Sequence, residues 1–249
     1  MARRVRCQSI LVGGFTITKF EMKVSDIVQR TYNVKSFRFP RPGSLNYKAG
    51  QYMLVTLRID GQETRKPFSI SSSPTEEDFI EFTKKLTGHS FSKKLDALKV
   101  GDMATIETPF GNFTFEGESE RIGLLSGGVG ITPLRSICRF CTDMRMNTKV
   151  TLLYGNRTEE DIIFRQELEQ MQQQNKNLKV VLTLAEPKTT WKGYTGNIVP
   201  EMVKKEIPEY SETRFYICGP PAMVQAMENL LKTLNVPAAN LRKENFAGY

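Results

Sequence analysis

Residues 127–133 read Gly127-Gly128-Val129-Gly130-Ile131-Thr132-Pro133. They stand between an apolar run at 121–126 and a stretch in which Leu134, Ile137, Cys138, Cys141 and Met144 recur every three or four positions. The run reads as a strand and the stretch as a helix with one buried face. Glycines let the chain turn sharply and come close to a phosphate, while a helix start offers unpaired N–H groups and a partial positive charge. Pro133 suits the first helical turn because it has no N–H to leave unpaired. This is a dinucleotide-binding geometry, although it departs from the G-x-G-x-x-G form. Taken alone, such a loop reads equally well as a plain tight turn.

The pattern continues downstream. Further strands are expected at 149–154, 178–184 and 214–218, and helices at 133–146, 159–174, 199–205 and 221–234. Strand–helix alternation predicts a parallel sheet covered by helices on both sides. Upstream the chain has another character. Short runs rich in Val, Ile, Thr, Phe and Tyr at 23–28, 34–39, 52–59, 68–72, 79–84 and 103–107 are separated by turn clusters such as Pro40-Arg41-Pro42-Gly43-Ser44 and Asp60-Gly61. With one short helix at 91–98, they predict a small antiparallel barrel. The expected fold class is therefore β + α/β: a six-stranded antiparallel barrel over 22–117, then a parallel-sheet α/β domain over 118–249. Residues 1–21 are expected to form an extension.

Composition narrows the chemistry. The 249 residues carry 35 Lys and Arg against 27 Asp and Glu, a net charge of +8, and 39% are hydrophobic, enough for a proper core. His89 is the one histidine, which excludes two-histidine metal sites and leaves a Ser-His-acid triad only this residue to build on. Of the four cysteines, Cys7, Cys138, Cys141 and Cys218, only Cys138 and Cys141 are close together, so no zinc site or Cys₄ cluster, and no metal, is expected. Reduced thiols fit a cytoplasmic protein. No run approaches the roughly 18 apolar residues of a membrane span. Arg3-Arg4 does not open an export signal, because Gly13-Gly14, Lys19 and Glu21 interrupt the segment after it. No pattern of nucleic-acid recognition is present.

Three more motifs share the chain with the glycine loop: Lys66-Pro67-Phe68-Ser69-Ile70-Ser71-Ser72, Cys218-Gly219-Pro220-Pro221-Ala222-Met223, and Glu244-Asn245-Phe246. In order and approximate spacing the four resemble the ferredoxin–NADP reductase-like superfamily, and the resemblance runs from Met22 nearly to the end. It implies a barrel that holds a flavin and an α/β domain that holds NAD(P)H. The first motif is similar to the family's R-x-Y-S-x-x-S flavin signature, which implies contacts from Pro67, Ser69 and Ser72, with the Ser69 hydroxyl near the flavin N5. Two departures stand out. Lys66 replaces the arginine that grips the diphosphate and cannot make its two-pronged contact, for which Arg65 could compensate; Phe68 replaces tyrosine and loses a hydroxyl.

Gly88-His89-Ser90-Phe91-Ser92 resembles the family's loop before the helix that caps the barrel. Gly88 and Ser92 are implied diphosphate contacts, which favours FAD over FMN. His89 reads as a loop residue. The resemblance places Cys218 beside the nicotinamide, with Gly219, Pro220 and Met223 around it, and Glu244 completes a hydride-transfer site with Ser69 and Cys218. Phe246 is implied as the aromatic cover of the flavin, with Tyr249 as an alternative. Gly127, Gly128, Gly130, Thr132 and Pro133 are expected to hold the nucleotide diphosphate, and Asn156 and Arg157 the adenosine ribose. One arginine is thin provision for a 2′-phosphate, so NADH is favoured over NADPH.

The activity implied is that of an FAD-dependent NAD(P)H oxidoreductase passing single electrons to a separate acceptor, an iron–sulfur protein or partner subunit. The +8 charge suits an acidic ferredoxin-like partner, with Lys84-Lys85 and Lys93-Lys94 as a candidate docking face. Two other readings stay open: a stand-alone flavin, ferric or quinone reductase, and a non-catalytic dinucleotide-binding subunit in which Lys66 and Phe68 mark a lost flavin site. Oligomeric state is not legible.

Overall fold

The computed structural model describes residues 7–12 and 15–246. Its first part is two antiparallel sheets. Strands β1 (Cys7–Val12), β2 (Phe15–Lys23), β3 (Asp26–Thr31), β4 (Val34–Pro40), β5 (Tyr52–Ile59), β6 (Gln62–Ser69) and β7 (Phe79–Lys85) lead to helix α1 (Ser90–Asp96) and strand β8 (Met103–Phe110). They form a five-stranded sheet in the order β1-β2-β8-β5-β6 and a three-stranded sheet in the order β3-β4-β7. Along β5, Met53, Val55 and Leu57 turn inward in alternation. They meet Phe37, Phe39 and Phe82 of the smaller sheet in one apolar core. An Ile70–Phe82 bridge ties the two sheets at a corner.

The second part holds β9 (Arg121–Gly127), α2 (Ile131–Asp143), β10 (Lys149–Asn156), α3 (Arg165–Gln174), β11 (Leu178–Leu184), β12 (Tyr194–Thr195), α4 (Pro200–Glu206), β13 (Arg214–Gly219), α5 (Pro221–Thr233) and β14 (Leu241–Asn245). The six strands are parallel, in the order β12-β11-β10-β9-β13-β14. One sheet face buries Ile131, Leu134, Cys138 and Cys141 of α2 with Leu168 and Met171 of α3. The other buries Met202 and Val203 of α4 with Val224, Met227 and Leu231 of α5. The antiparallel and parallel halves are thus as expected.

Three features differ from the sequence reading. Residues 7–12 and 15–21, expected as an extension, belong to β1 and β2, and β2 pairs with β8 from Thr18–Thr108 to Lys23–Met103. This adds two strands to the expected six. The alternation of Phe20 and Met22, both buried, with exposed Lys19 and Glu21 carries the sheet signal there. β6 begins at Gln62, not 68, because register against β5 rather than apolar content sets this polar edge strand. The expected helix at 159–174 splits: 159–161 is one tight turn closed by a Thr158–Asp161 capping box, and α3 starts only after Phe164, whose φ is +61°. Among the described residues no helix is long and apolar enough to cross a membrane.

Candidate active site between the two domains

β13 and β14 are parallel neighbours, so Cys218 lies beside Glu244, and Cys218 also lies beside Ser126 of β9. From the barrel, the end of β6 reaches the same place: Ser69 Oγ donates to Glu244 Oε1 at 3.1 Å. Three residues far apart in sequence are therefore together. Glu244 is largely withdrawn from water. Burial pushes its carboxyl up to about 7, against the pull of the Ser69 hydrogen bond. Burial also pushes the Cys218 thiol well up, with the Glu244 charge adding to the effect, so the cysteine is a neutral, space-filling group.

A cleft of about 560 Å³ opens on Ser69 and Glu244, with Pro67, Phe68 and Phe246 also in its walls, while Cys218 is fully buried behind it and does not line it. Its volume is in the range of small-molecule and cofactor sites. Tyr52, Asn112, Phe113, Arg242 and Lys243 line it too, and the motifs do not point to them. The one local signal for Asn112 is the turn at Gly111, whose φ of +93° ends β8 and carries the chain toward the second domain. Phe68 stacks on Phe82 and Phe91 with ring centroids 4.7 and 5.8 Å apart. Phe246 is buried, and its N–H donates to the Gly219 carbonyl at 2.9 Å, which fixes it beside the Cys218 strand end. Tyr249 lies outside the described residues.

The remaining predicted residues surround this centre. Gly127, Gly128 and Gly130 form the turn from β9 into α2. A Cβ on Gly130 would stand 2.2 Å from the Cys218 carbonyl oxygen, so only glycine lets the loop seat on β13. One at Gly128 would meet nothing within 4 Å, which leaves open space above the loop. Thr132 and Pro133 are buried in the first turn of α2, and Thr132 Oγ1 donates to the Val129 carbonyl. Gly219 and Pro220 lead from β13 into α5, with Met223 packed against Gly219 and Gly127. Asn156 and Arg157 stand at the end of β10, where Arg157 Nε pairs with Glu186 at 3.0 Å.

Several of the expected contact residues are engaged within the protein itself. Ser72 is fully buried; its hydroxyl meets Tyr47 and the Glu81 N–H, and its carbonyl accepts from Ser136. It is not brought to the cleft. Ser92 Oγ accepts from the Thr87 N–H at 2.6 Å and holds its own loop, while Gly88 is exposed beside it. Arg65 and Lys66 face opposite sides of β6. Arg65 pairs with Glu107 at 3.3 Å instead of supporting Lys66. Lys84 is buried, and this, with the nearby Lys66 ammonium, pushes it down to about 8. The expected four-lysine docking face therefore loses Lys84 and keeps Lys85, Lys93 and Lys94, all exposed.

The residues present fit a flavin and a nicotinamide nucleotide. In the barrel, Lys66 of β6 and Lys84 of β7 bring two cations near each other; at the carboxyl ends of β9 and β10, the buried Ser126 hydroxyl and Asn156 amide make no hydrogen bond of good geometry. Ligands of open parallel sheets bind at that end. Comparison with known proteins agrees. Residues 20–115 match the oxidoreductase FAD-binding domain family, and residues 124–229 match the oxidoreductase NAD-binding domain family. NADH-cytochrome b5 reductase 1 of Lodderomyces elongisporus is 33% identical over 219 residues, which cover 85% of this chain and 73% of that one. The chain belongs to the ferredoxin–NADP reductase-like superfamily of flavoprotein oxidoreductases.

FAD and a nicotinamide nucleotide are thus the cofactors of its two domains. The chain spans only part of the length of some of the proteins it resembles. The glycine betaine monooxygenase reductase subunit of Chromohalobacter salexigens is 28% identical over 240 residues, covering 93% of this chain, but the chain spans only 65% of that relative's length. The structure of the CS-b5R domains of human Ncb5or in its NAD+ form superposes with a TM-score of 0.80 at 28% identity, covering 91% of this chain and 69% of that one.

Proposed function

We propose that the protein oxidises NADH at this cleft and delivers the electrons, through FAD, to a separate redox protein. The observation that carries the reading is the Ser69–Glu244 hydrogen bond beside Cys218, where a strand end of the FAD-binding domain meets two strand ends of the NAD-binding domain. Bound FAD would supply a ring that accepts hydride and can release electrons one at a time. The chain's own contribution is orientation and the exclusion of water. Ser69, Pro67 and Phe68 would bound the flavin. Lys66 and Lys84 would neutralise its diphosphate. Phe246 would cover the ring and move aside when nicotinamide enters. Cys218, neutral and buried, would pack against the nicotinamide, while the raised Glu244 carboxyl would be able to hold or release a proton near neutral pH.

The preference for NADH rests on Arg157. Its guanidinium is already engaged by Glu186, and Glu159, Glu160 and Asp161 stand close behind it in the chain. A 2′-phosphate would have to displace the Glu186 carboxylate from Arg157. A protein acceptor is supported by relatives named as a monooxygenase reductase subunit and as cytochrome b5 reductases. Exposed Lys85, Lys93, Lys94 and Arg242, with the net charge of +8, suit an acidic one such as an iron–sulfur protein. The buried thiols of Cys138, Cys141 and Cys218 are compatible with a cytoplasmic location.

The test is the visible spectrum of the purified protein, loaded with FAD or FMN, during anaerobic addition of NADH and separately of NADPH. Flavin bands bleached by NADH at lower concentration than NADPH are expected. A protein that binds neither flavin, yet binds NADH, would replace this reading with a non-catalytic dinucleotide-binding subunit.

A further inference from the structure

Outside the cleft, the junction of the two domains holds a chain of alternating charges. Arg38 and Arg30 both donate to Glu81 Oε2 at 2.8 Å; Arg30 also reaches Glu167 at 2.5 Å; Glu167 accepts from Arg135 Nε at 3.0 Å; and Arg135 Nη2 donates to Glu76 at 3.0 Å. Arg38, Arg30, Glu81 and Glu76 belong to the barrel, while Arg135 and Glu167 sit on α2 and α3. The Phe164 ring, on a residue with left-handed backbone ahead of α3, lies under both the Arg30 and Arg135 guanidinium groups, at 4.7 and 5.7 Å.

Two hydrogen bonds join this network to the cofactor motifs. Arg135 Nη1 donates to the Ser71 carbonyl at 3.1 Å, and Ser136 Oγ donates to the Ser72 carbonyl at 2.7 Å. The Ser71 hydroxyl is in turn held by Glu81 Oε1 at 2.8 Å. Ser71 lies two residues beyond Ser69, and Arg135 lies three beyond Thr132 at the glycine loop. The two cofactor motifs are therefore fastened to each other through one turn of helix.

We propose that Arg135, assisted by Ser136, is a positioning latch that sets the spacing of the flavin and nicotinamide sites and hence the distance over which hydride passes. The proposal rests on the function given above. Arginine suits the task because its planar fork reaches Ser71, Glu76 and Glu167 at once, whereas lysine offers a point charge. Apolar contacts at a junction tolerate sliding, while fixed hydrogen-bond directions allow one arrangement. Hydride transfer is sensitive to this, since a misplacement of about 1 Å can cost about 100-fold in rate.

The test compares wild type with Arg135→Gln, Arg135→Lys and Ser136→Ala, each loaded with FAD, by anaerobic rapid mixing with NADH and by small-angle scattering of the nucleotide-free protein. In Arg135→Gln the limiting rate of flavin reduction should fall by about 100-fold, with the dissociation constants of FAD and NADH within about twofold of wild type. Scattering should show a looser or broader domain arrangement. Arg135→Lys should fall between the two, and Ser136→Ala should show the same split at smaller size. If Arg135→Gln fails to fold, the other two variants decide. A limiting rate unchanged in the folded variants, or affinity lost in proportion to rate, would overturn the latch. If wild type itself is not reduced by NADH, the proposed function fails. Scattering still judges the latch separately, and a pattern identical to wild type would overturn it.

Discussion

At the cleft, one hydrogen bond from Ser69 to Glu244 spans the two domains, beside about 560 Å³ of open space. At the latch, Arg135 alone makes contacts to Ser71, Glu76 and Glu167 and is almost wholly buried. Burial would lower the Arg135 pKa, but the Glu76, Glu167 and Glu81 carboxylates more than reverse this, so its charge is fixed at any pH the fold survives. Glu244 is the opposite: half-buried in the cleft wall and paired with no cation, it titrates near 7. One junction thus serves two needs. Fully paired charges hold the domains, and a single unpaired carboxyl leaves the other side free to admit rings.

The largest effect is expected from breaking the closed side. Glu81→Leu leaves Arg30 and Arg38 without their shared carboxylate and removes one of the acceptors of the Ser71 hydroxyl. Stability should drop by about 3 kcal/mol, read by urea denaturation, because removing one member of a buried ion pair exposes the other's desolvation cost. On the open side, Ser69→Ala should change stability by only about 1 kcal/mol. Its flavin reduction rate should fall by about tenfold, seen in single-turnover mixing, as orientation is lost. Equal stability losses in the two variants would remove the contrast.

The two sides should also part in their response to pH. The Glu244 carboxyl is raised in the fold from about 4.5 to about 7, so the folded state holds a proton that the unfolded chain has released. Stability contributed by the neutral form is present below about 4.5 and is lost as pH rises toward 7. Glu244→Gln should abolish that fall, so the variant gains on wild type across this window in thermal melts. The smallest effect concerns the nucleotide. Glu186→Gln frees Arg157, and NADPH should improve as a donor by a few-fold while NADH changes little, read as the ratio of kcat/KM values.

The sequence is most informative where chemistry demands particular residues. Gly130 is required because any side chain would strike the Cys218 carbonyl, and the strand before it and helix after it carry plain apolar periodicity. Ser69, Cys218 and Glu244 form one group by their motifs, and the register of β13 with β14 brings them together. Other features leave little local trace. β14 reads Leu-Arg-Lys-Glu-Asn, with no apolar alternation, and is a strand because β13 offers it an edge. At the break before α3, the Phe164 ring meets two arginines from distant segments, contacts with no local sequence signal. Arg135 reads as an ordinary charged position in a helix, since its partners Ser71, Glu76 and Glu167 lie at least 32 residues away. Ser72 reads as a cofactor contact because it shares a motif with Ser69, yet the chain turns after β6 and buries it against α2.

The decisive measurement is single-turnover anaerobic mixing of the FAD-loaded protein with NADH, unlabelled and deuterated at the transferred C4 position. If hydride crosses the cleft beside Ser69, Cys218 and Glu244, flavin absorbance will be lost in one phase, more slowly with the deuterated donor. Flavin absorbance that persists at saturating NADH would contradict hydride transfer at this cleft.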